Sequence, residues 1–216
     1  GAKVLLFEKM DKVGLKMGIT GKGRCNLTNN APIMDFIAMT PGNGRFLFSA
    51  YKRFNNMDLL SLFHTWGLET KVERGGRIFP ASDDAQEVRH LFMRLLHEKQ
   101  IDVHLSEPVL HIQTKKGCAA GVATGKGTYE ADAVILATGG KSYPRTGSTG
   151  DGYRLAGELG HTVTKIRPAL IPLVCAEPYC RELQGLSLKN VTLALAAGGR
   201  RKSEAFGEMS FTHFGI

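Results

Sequence analysis

The sequence predicts an α/β protein built on a parallel sheet, followed by a separate β-rich segment. Two short and continuously apolar runs, at residues 4–8 and 133–137, are typical of strands buried on both faces of a parallel sheet. Residues 83–100 repeat apolar side chains at i, i+3, i+4, i+7 and i+8, which predicts an amphipathic helix with acidic residues at its amino end. Beyond Pro168 the pattern changes to short alternating strands. A β-rich second domain is therefore expected to begin near residue 170.

The remaining elements fall between and after these runs. Glycine-rich stretches at residues 14–30 and 141–152 lack helical or strand periodicity and are expected to be loops. Apolar residues at helical spacing predict short helices, and β-like pieces separated by Lys-Gly and Gly-Lys-Gly turns predict an antiparallel meander. In chain order, these are helices at 46–54 and 57–66, a strand at 103–105, meander strands at 109–114, 119–124 and 128–131, and a helix at 153–159.

The composition is that of a globular protein with a sizeable core. Of 216 residues, 43% are apolar and 22% are charged, which excludes a disordered or collagen-like chain. The four cysteines are irregularly spaced and include no Cys-x-x-Cys pair, which argues against a zinc site or a disulfide scaffold. We therefore expect a reducing, cytoplasmic location and no metal. No run approaches the roughly 18 apolar residues of a membrane-spanning helix, so no membrane partner is expected.

The basic charge raises a nucleic-acid hypothesis. Lys and Arg number 28 against 20 Asp and Glu, a net charge of +8, and phosphate attraction is a common use of such a surface. The excess is spread evenly along the chain, and the one compact basic cluster is Arg200-Arg201-Lys202. Neither an RNA-recognition aromatic pattern nor a zinc finger accompanies it. Cofactor phosphates would account for part of the charge equally well.

Four pieces of the chain carry candidate chemistry. Glu8 ends a strand, where an acidic residue of a dinucleotide-binding fold accepts hydrogen bonds from ribose hydroxyls. The glycine-rich basic segment at residues 14–26 offers backbone N–H groups and cations to a pyrophosphate. Thr138-Gly139-Gly140 follows a predicted buried strand, at the edge where α/β sheets bind ligands. Gly150-Asp151-Gly152 lies at a helix start, where its backbone amides and Asp151 together suit a ribityl chain or a phosphate.

Each of these features also has a purely structural interpretation. Glu8 alone fits a surface charge at a strand end, and the basic loop alone fits a solvated loop. The Gly150-Asp151-Gly152 stretch alone fits a helix N-cap. Their order along the chain is more informative than any single feature.

That order resembles the two-dinucleotide-binding-domain flavoproteins, and more closely the bacterial HI0933-like family of FAD-dependent, NAD(P)H-linked oxidoreductases, which includes the BaiN and YhiN proteins. The stretches that carry the resemblance span nearly the whole chain. They are VLLFEK at residues 4–9, TGKGRCNLTN at 20–29, ATGGKSYP at 137–144, TGSTGDGY at 146–153 and GEMSFTHFGI at 207–216.

The resemblance implies a Rossmann-like FAD-binding domain with a β-meander crossover at residues 1–170, and the start of an inserted β-rich domain at residues 171–216. It implies that Glu8 and Lys9 lie at the adenosine ribose and that the Val109 backbone meets the adenine. The other implied cofactor-binding residues are Lys16, Gly21, Arg24, Cys25, Asn26, Thr138, Gly139, Gly140 and Asp151. A Gly-x-Gly-x-x-Gly turn, expected roughly 20 residues before Glu8, is absent. The chain is therefore expected to be a fragment that begins after that turn.

Three functions remain open at this point. The leading hypothesis is an FAD-dependent oxidoreductase that takes hydride from NAD(P)H and reduces a C=C or C=N bond of a small molecule. The second is a flavoenzyme that modifies an RNA base, and the third is a non-catalytic nucleotide-binding module. No catalytic residue is assigned. Cys25 is either a redox thiol or merely a small residue in a tight loop, and Tyr143 and Arg145 flank the expected flavin position.

Overall fold

The computed structural model describes residues 1–168 and 171–216. Residues Gly1–Val163 and Thr164–Ile216 form two separate units. The expected domain boundary lies between residues 170 and 171. Ala169 and Leu170 are outside the described residues, so this boundary stays a prediction.

The first unit contains eight strands and six α-helices among its described residues. Its strands are β1 (Leu5–Phe7), β2 (Thr28–Asn29), β3 (Thr70–Val72), β4 (Arg77–Pro80), β5 (Asp102–His104), β6 (Val109–Lys115), β7 (Cys118–Thr124) and β8 (Gly127–Glu130). Its helices are α1 (Leu15–Ile19), α2 (Ile33–Met39), α3 (Phe48–Arg53), α4 (Asn56–Thr65), α5 (Ala85–Glu98) and α6 (Asp151–Glu158). Short 3-10 turns lie at Thr20–Gly23, Gly44–Leu47, Arg74–Gly76 and Pro144–Thr146.

Three small sheets organise this unit. Strands β1 and β5 pair in parallel, with Leu6 opposite Val103. Strands β2, β4 and β3 form an antiparallel sheet in that order, and β6, β7 and β8 form the antiparallel meander. The predicted α/β class and the β-meander are therefore confirmed. The predicted parallel sheet consists, among the described residues, of the β1–β5 pair alone, and β1 is half-buried rather than buried on both faces.

Helix α5 provides the core of the first unit. Asp84 caps it by accepting a hydrogen bond from the backbone N–H of Gln86, as the acidic amino end predicts. Its apolar stripe packs into a buried cluster with residues of α4 and of the segment after α1, because an amphipathic helix must cover its apolar face. The buried members are Cys25, Phe63, Leu68, Ala85, Val88 and Leu91.

Two sequence expectations differ from the structure. Residues 14–30 are not one loop, since they contain α1, a 3-10 turn and β2. Helix α1 packs against α5, and β2 pairs with β4, so long-range contacts order a stretch too short to show its own periodicity. Residues 133–137 form no strand, and Ile135 is 91% exposed. In the described part of the chain, no strand pairs with this run, so its apolar composition alone does not make it extended sheet.

The second unit is β-rich. Strands β9 (Ser187–Ala197) and β10 (Arg200–Ser210) form a long antiparallel hairpin that turns at Gly198 and Gly199. A short helix, α7 (Tyr179–Glu182), precedes the hairpin. The backbones of Leu173 and Ile216 exchange two hydrogen bonds, with nitrogen-to-oxygen distances of 2.6 and 3.0 Å.

No helix in residues 1–168 or 171–216 is long and apolar enough to cross a bilayer. The same residues contain no group of three or more His, Cys, Asp or Glu side chains arranged to hold a metal ion.

Candidate functional site

The candidate site begins where β1 ends. The Glu8 N–H donates to the carbonyl oxygen of His104 at 2.9 Å and so extends the parallel pairing by one residue. The Glu8 carboxylate accepts the Met10 N–H at Oε1, at 2.8 Å. Within the described residues, no hydrogen bond reaches its Oε2. One carboxylate oxygen is thus fixed by the backbone, and the other has no hydrogen-bond donor among the described residues.

Lys9 joins the end of β1 to the start of α6. Its Nζ donates to Asp151 Oδ2 at 2.6 Å and to Thr149 Oγ1 at 2.5 Å. Thr149 Oγ1 donates to the same Asp151 oxygen at 3.1 Å. The hydrogen bond from Lys9, helped by the one from Thr149, lowers the pKa of Asp151 against the effect of burial. Asp151 is therefore an ionised acceptor at neutral pH.

Lys16 reaches from α1 to the loop after Gly140. Its Nζ donates to the carbonyl oxygen of Ser142 at 3.0 Å and to its Oγ at 2.9 Å. The same ammonium lies 4.2 Å from the centre of the Tyr143 ring, which is a cation–π contact. All three partners are neutral. Tyr143 is 65% exposed and has a positive φ of 59°, a conformation that a bulky residue rarely adopts without a local constraint.

The segment Thr138-Gly139-Gly140 lies against the start of α6. A Cβ on Gly139 would lie 3.7 Å from Ser148 Oγ, and one on Gly140 would lie 3.8 Å from the Tyr153 hydroxyl. Both glycines therefore leave room along their backbone. In contrast, a Cβ on Gly152 would lie only 2.3 Å from Thr138 Oγ1. The closeness of α6 to this segment thus depends on Gly152.

The Gly21–Asn26 segment is tightly built, and its side chains contact the β2–β4–β3 sheet. Gly21 has a positive φ of 58°, and a Cβ there would lie 2.9 Å from the Asn26 backbone nitrogen, so this turn requires glycine. The Asn26 amide, with its nitrogen turned toward the sheet, donates to the backbone oxygens of Thr28 and Ile78 at 3.0 and 3.2 Å.

Arg24 and Cys25 are occupied by internal contacts. The Arg24 guanidinium binds Glu73 at 2.7 Å and lies 4.1 Å from the centre of the Phe79 ring. Its hydrogen bond with Glu73 raises the pKa of Arg24. Cys25 is 4% exposed in the core cluster, and burial raises the pKa of its thiol. A buried thiol with a raised pKa is a poor nucleophile, which favours the structural interpretation of Cys25.

Val109 begins β6, where it pairs with Thr124. This end of the meander is tied to α6, because Arg154 donates to the carbonyl oxygen of Leu110 at 2.8 Å. The structure thus connects several expected residues through α6 and through the loop that precedes it. They are Lys9, Asp151, Thr138, Gly139, Gly140, Lys16 and the β6 end at Val109.

Sequence reasoning missed the partners that hold these residues. Ser142 and Thr149 hold Lys16 and Lys9, and both lie within stretches that carried the resemblance. The polar residues next to Gly140 and Asp151 were therefore the available signal.

Sequence reasoning also missed a buried carboxylate beside β1. Glu107 is 2% exposed and accepts hydrogen bonds from Thr124 Oγ1 at 2.7 Å and from the Tyr129 hydroxyl at 2.8 Å. Lys126 and His104 also bind it, at 3.0 and 3.2 Å. Burial acts to raise the pKa of Glu107, but these four hydrogen bonds outweigh it and hold the pKa at about 2. Its partners Thr124 and Tyr129 are 17 and 22 residues away in sequence, so no local motif indicates this carboxylate.

A protein-family model shows which family the chain belongs to. The model of the HI0933-like protein Rossmann domain matches residues 1–211. The chain belongs to this family. The resemblance read from the sequence is therefore confirmed, and with it a Rossmann-type α/β domain.

Two curated relatives are similar to the chain over its whole length. The chain is 34% identical to the 3-dehydro-bile acid delta(4,6)-reductase of Clostridium scindens, with 100% of this chain and 51% of the relative covered. It is 28% identical to the ribosomal RNA dihydrouridine synthase of Escherichia coli, with 100% of this chain and 52% of the relative covered. The chain thus spans about half the length of these curated relatives.

Among solved structures, an open conformation of a flavocytochrome c3 fumarate reductase is similar. The match covers 88% of this chain and 43% of that chain, at 18% identity and a TM-score of 0.49.

Proposed function

We propose that the protein is an FAD-dependent oxidoreductase that takes hydride from NAD(P)H and reduces a C=C or C=N bond of a small molecule. The observation that carries the proposal is the joining of β1 to α6. Lys9, at the end of β1, binds Asp151, at the start of α6, and the glycine pair 139–140 lies beside that helix. An acidic strand end next to a glycine-lined backbone is what a dinucleotide requires.

The residues of the site fit the chemistry of FAD. Glu8 and Asp151 each keep a carboxylate oxygen for hydroxyl donors, Lys16 supplies a cation, and the backbone of Gly139 is exposed. Bound FAD would supply the hydride transfer between a nicotinamide and an electron-poor double bond. The protein's own part is to orient the two partners and to hold the charge of the phosphates.

The small-molecule substrate is supported by the relative that is 34% identical, a bile acid reductase. An open segment with an exposed aromatic side chain, Tyr143, lies next to Gly140. A planar apolar substrate would find a surface of this kind favourable. We propose the substrate only by class, as a molecule with a conjugated double bond.

Reconstitution with FAD tests this proposal. The purified protein is expected to bind FAD with a shifted flavin absorbance spectrum and to be reduced by NADH or NADPH in anaerobic stopped flow. Glu8→Ala and Gly139→Ala should weaken flavin retention, whereas Glu98→Gln, at an exposed position of α5, should not. Absence of a bound flavin spectrum would contradict the proposal. Tight FAD binding without any reduction would instead support the non-catalytic nucleotide-binding module.

A second candidate keeps the cofactor and changes the substrate to an RNA base. A specific feature favours it, because Arg200, Arg201 and Lys202 are exposed at the end of the β9–β10 hairpin. The E. coli relative is a ribosomal RNA dihydrouridine synthase, and dihydrouridine differs from uridine by the same two hydrogens that a C=C reduction adds. Comparing RNA base modifications in a deletion strain and its parent decides between the candidates. A modification lost on deletion would favour RNA, and an unchanged profile would exclude it.

A further inference from the structure

We propose that Lys9 is a positioning residue for Asp151, and that Lys16 is the cation that meets the negative charge of the cofactor phosphates. The inference rests on the proposed FAD site, and it gives Lys9 a role other than contact with the adenosine ribose, where the resemblance places it.

The charge balance separates the two lysines. Lys9 binds a carboxylate at 2.6 Å, so the pair carries no net charge. The Lys9 and Asp151 side chains are 26% and 34% exposed, respectively, and thus both are partly withdrawn from solvent. Lys16 instead binds a carbonyl oxygen, a hydroxyl and an aromatic ring. Its positive charge is not cancelled by these partners, so it can act on a nearby phosphate.

The geometry at Asp151 gives Lys9 its positioning role. Both hydrogen bonds to this carboxylate end on Oδ2, one from Lys9 and one from Thr149. Among the described residues, no hydrogen bond ends on Oδ1. Lys9 thus fixes the carboxylate through one oxygen and leaves the other free. A free oxygen on a fixed, ionised carboxylate suits a hydroxyl of the sugar-alcohol chain of FAD, because such a bond is charge-assisted.

The competing assignment places Lys9 directly on the cofactor, at the adenosine ribose that the resemblance implies. In that case Lys9→Met would weaken the binding of any ligand that carries the adenosine diphosphate part of FAD, even one that does not reach Asp151. If Lys9 acts through Asp151, removing either side chain removes the same contact. The double variant should then bind FAD about as well as the weaker single variant.

A double-mutant cycle on FAD affinity tests the proposal. Titration of FAD into the apoprotein, followed by fluorescence, gives the dissociation constants of Lys9→Met, Asp151→Asn and the double variant. Each single variant is expected to lose about tenfold in affinity, the effect of one charge-assisted hydrogen bond, and the double variant about the same. Lys16→Met should also lose about tenfold, and this loss should multiply with that of Asp151→Asn.

Salt and a smaller ligand give readouts that a merely structural role would not change. The double variant keeps the net charge of the wild type and should keep its salt dependence of FAD binding, whereas Lys16→Met should reduce it. The binding of adenosine diphosphate, which carries two phosphates but no sugar-alcohol chain, should be weakened by Lys16→Met and unaffected by Lys9→Met and Asp151→Asn. Weaker binding of adenosine diphosphate by Lys9→Met, losses of FAD affinity at Lys9 and Asp151 that multiply, or a salt dependence unchanged in Lys16→Met would overturn the proposal. Wild-type protein that does not bind FAD would overturn the proposed function itself.

Discussion

Gly152 controls how closely α6 approaches Thr138, and its replacement gives the sharpest prediction. Gly152 is a buried residue in the first turn of α6. In Gly152→Ala, the new Cβ would lie 2.3 Å from Thr138 Oγ1, about 1 Å closer than ordinary contact between such atoms. Thr138 or the start of α6 must therefore move by a similar distance.

The expected change in stability on replacing Gly152 by alanine follows from two opposing effects. Alanine is better than glycine inside a helix by about 0.5–1 kcal/mol, so a site with free space would gain stability. Gly157 in the same helix is such a site, because a Cβ there meets no atom within 4 Å. Gly152→Ala should lose this gain to the clash. It should also displace Thr138 enough to remove about one hydrogen bond to the cofactor, roughly 0.5–1.5 kcal/mol or two- to tenfold in affinity.

Urea unfolding and FAD titration measure the two effects separately. Gly157→Ala should raise the unfolding free energy and leave FAD affinity unchanged. Gly152→Ala should show no gain in stability and should bind FAD two- to tenfold more weakly. Adding Thr138→Ala to Gly152→Ala removes the clashing oxygen and should recover stability but not affinity. A Gly152→Ala protein as stable as Gly157→Ala, with wild-type FAD affinity, would refute this reasoning.

Three further predictions concern the framework of the site. Glu107→Gln should lower the free energy of unfolding at neutral pH and should reduce the loss of that free energy between about pH 4.5 and 2. The reason is that the folded pKa of about 2 lies below the usual value of 4.5, so the stabilisation by Glu107 disappears as the pH falls through this range. Urea midpoints measured against pH check this, and an unaltered pH profile would contradict it. Ile78→Ala should cost about 2–5 kcal/mol in urea unfolding because Ile78 is 1% exposed, whereas Val72→Ala, at a position 58% exposed, should cost far less; equal losses would show that burial is misassigned. Cys25 should resist alkylation by iodoacetamide in the folded protein, whereas exposed Cys118 should react, and mass spectrometry measures both. Rapid labelling of Cys25 in the folded protein would instead support a redox thiol.

Elements with strong local patterns were predictable from the sequence. Helix α5 and the β6–β7–β8 meander lie close to their expected positions because the apolar spacing and the glycine turns are local properties. The strand predicted at residues 133–137 was wrong because a strand needs a pairing partner, and composition does not show whether one is present. The β2–β4–β3 sheet was missed because its strands are only two to four residues long, and because β2 and β4 are about 50 residues apart.

The sequence indicated individual candidate residues but not how they are arranged. Glycine-rich motifs indicated Gly139, Gly140 and Asp151 because close approach to a ligand needs small residues and free amides. The ion pair between Lys9 and Asp151 spans 142 residues of sequence, and no local pattern indicates such a contact. The internal pairing of Arg24 with Glu73 could not be foreseen either. Assignment of these residues to FAD stays a prediction.

A crystal structure of the protein with bound FAD would show whether these residues hold the cofactor. We expect one FAD against the backbone of Gly139 and Gly140. The Lys16 ammonium should lie near a phosphate, and Asp151 Oδ1 should accept a hydroxyl of the sugar-alcohol chain while Oδ2 stays on Lys9. FAD bound elsewhere, or Lys9 released from Asp151 to contact a phosphate, would contradict it.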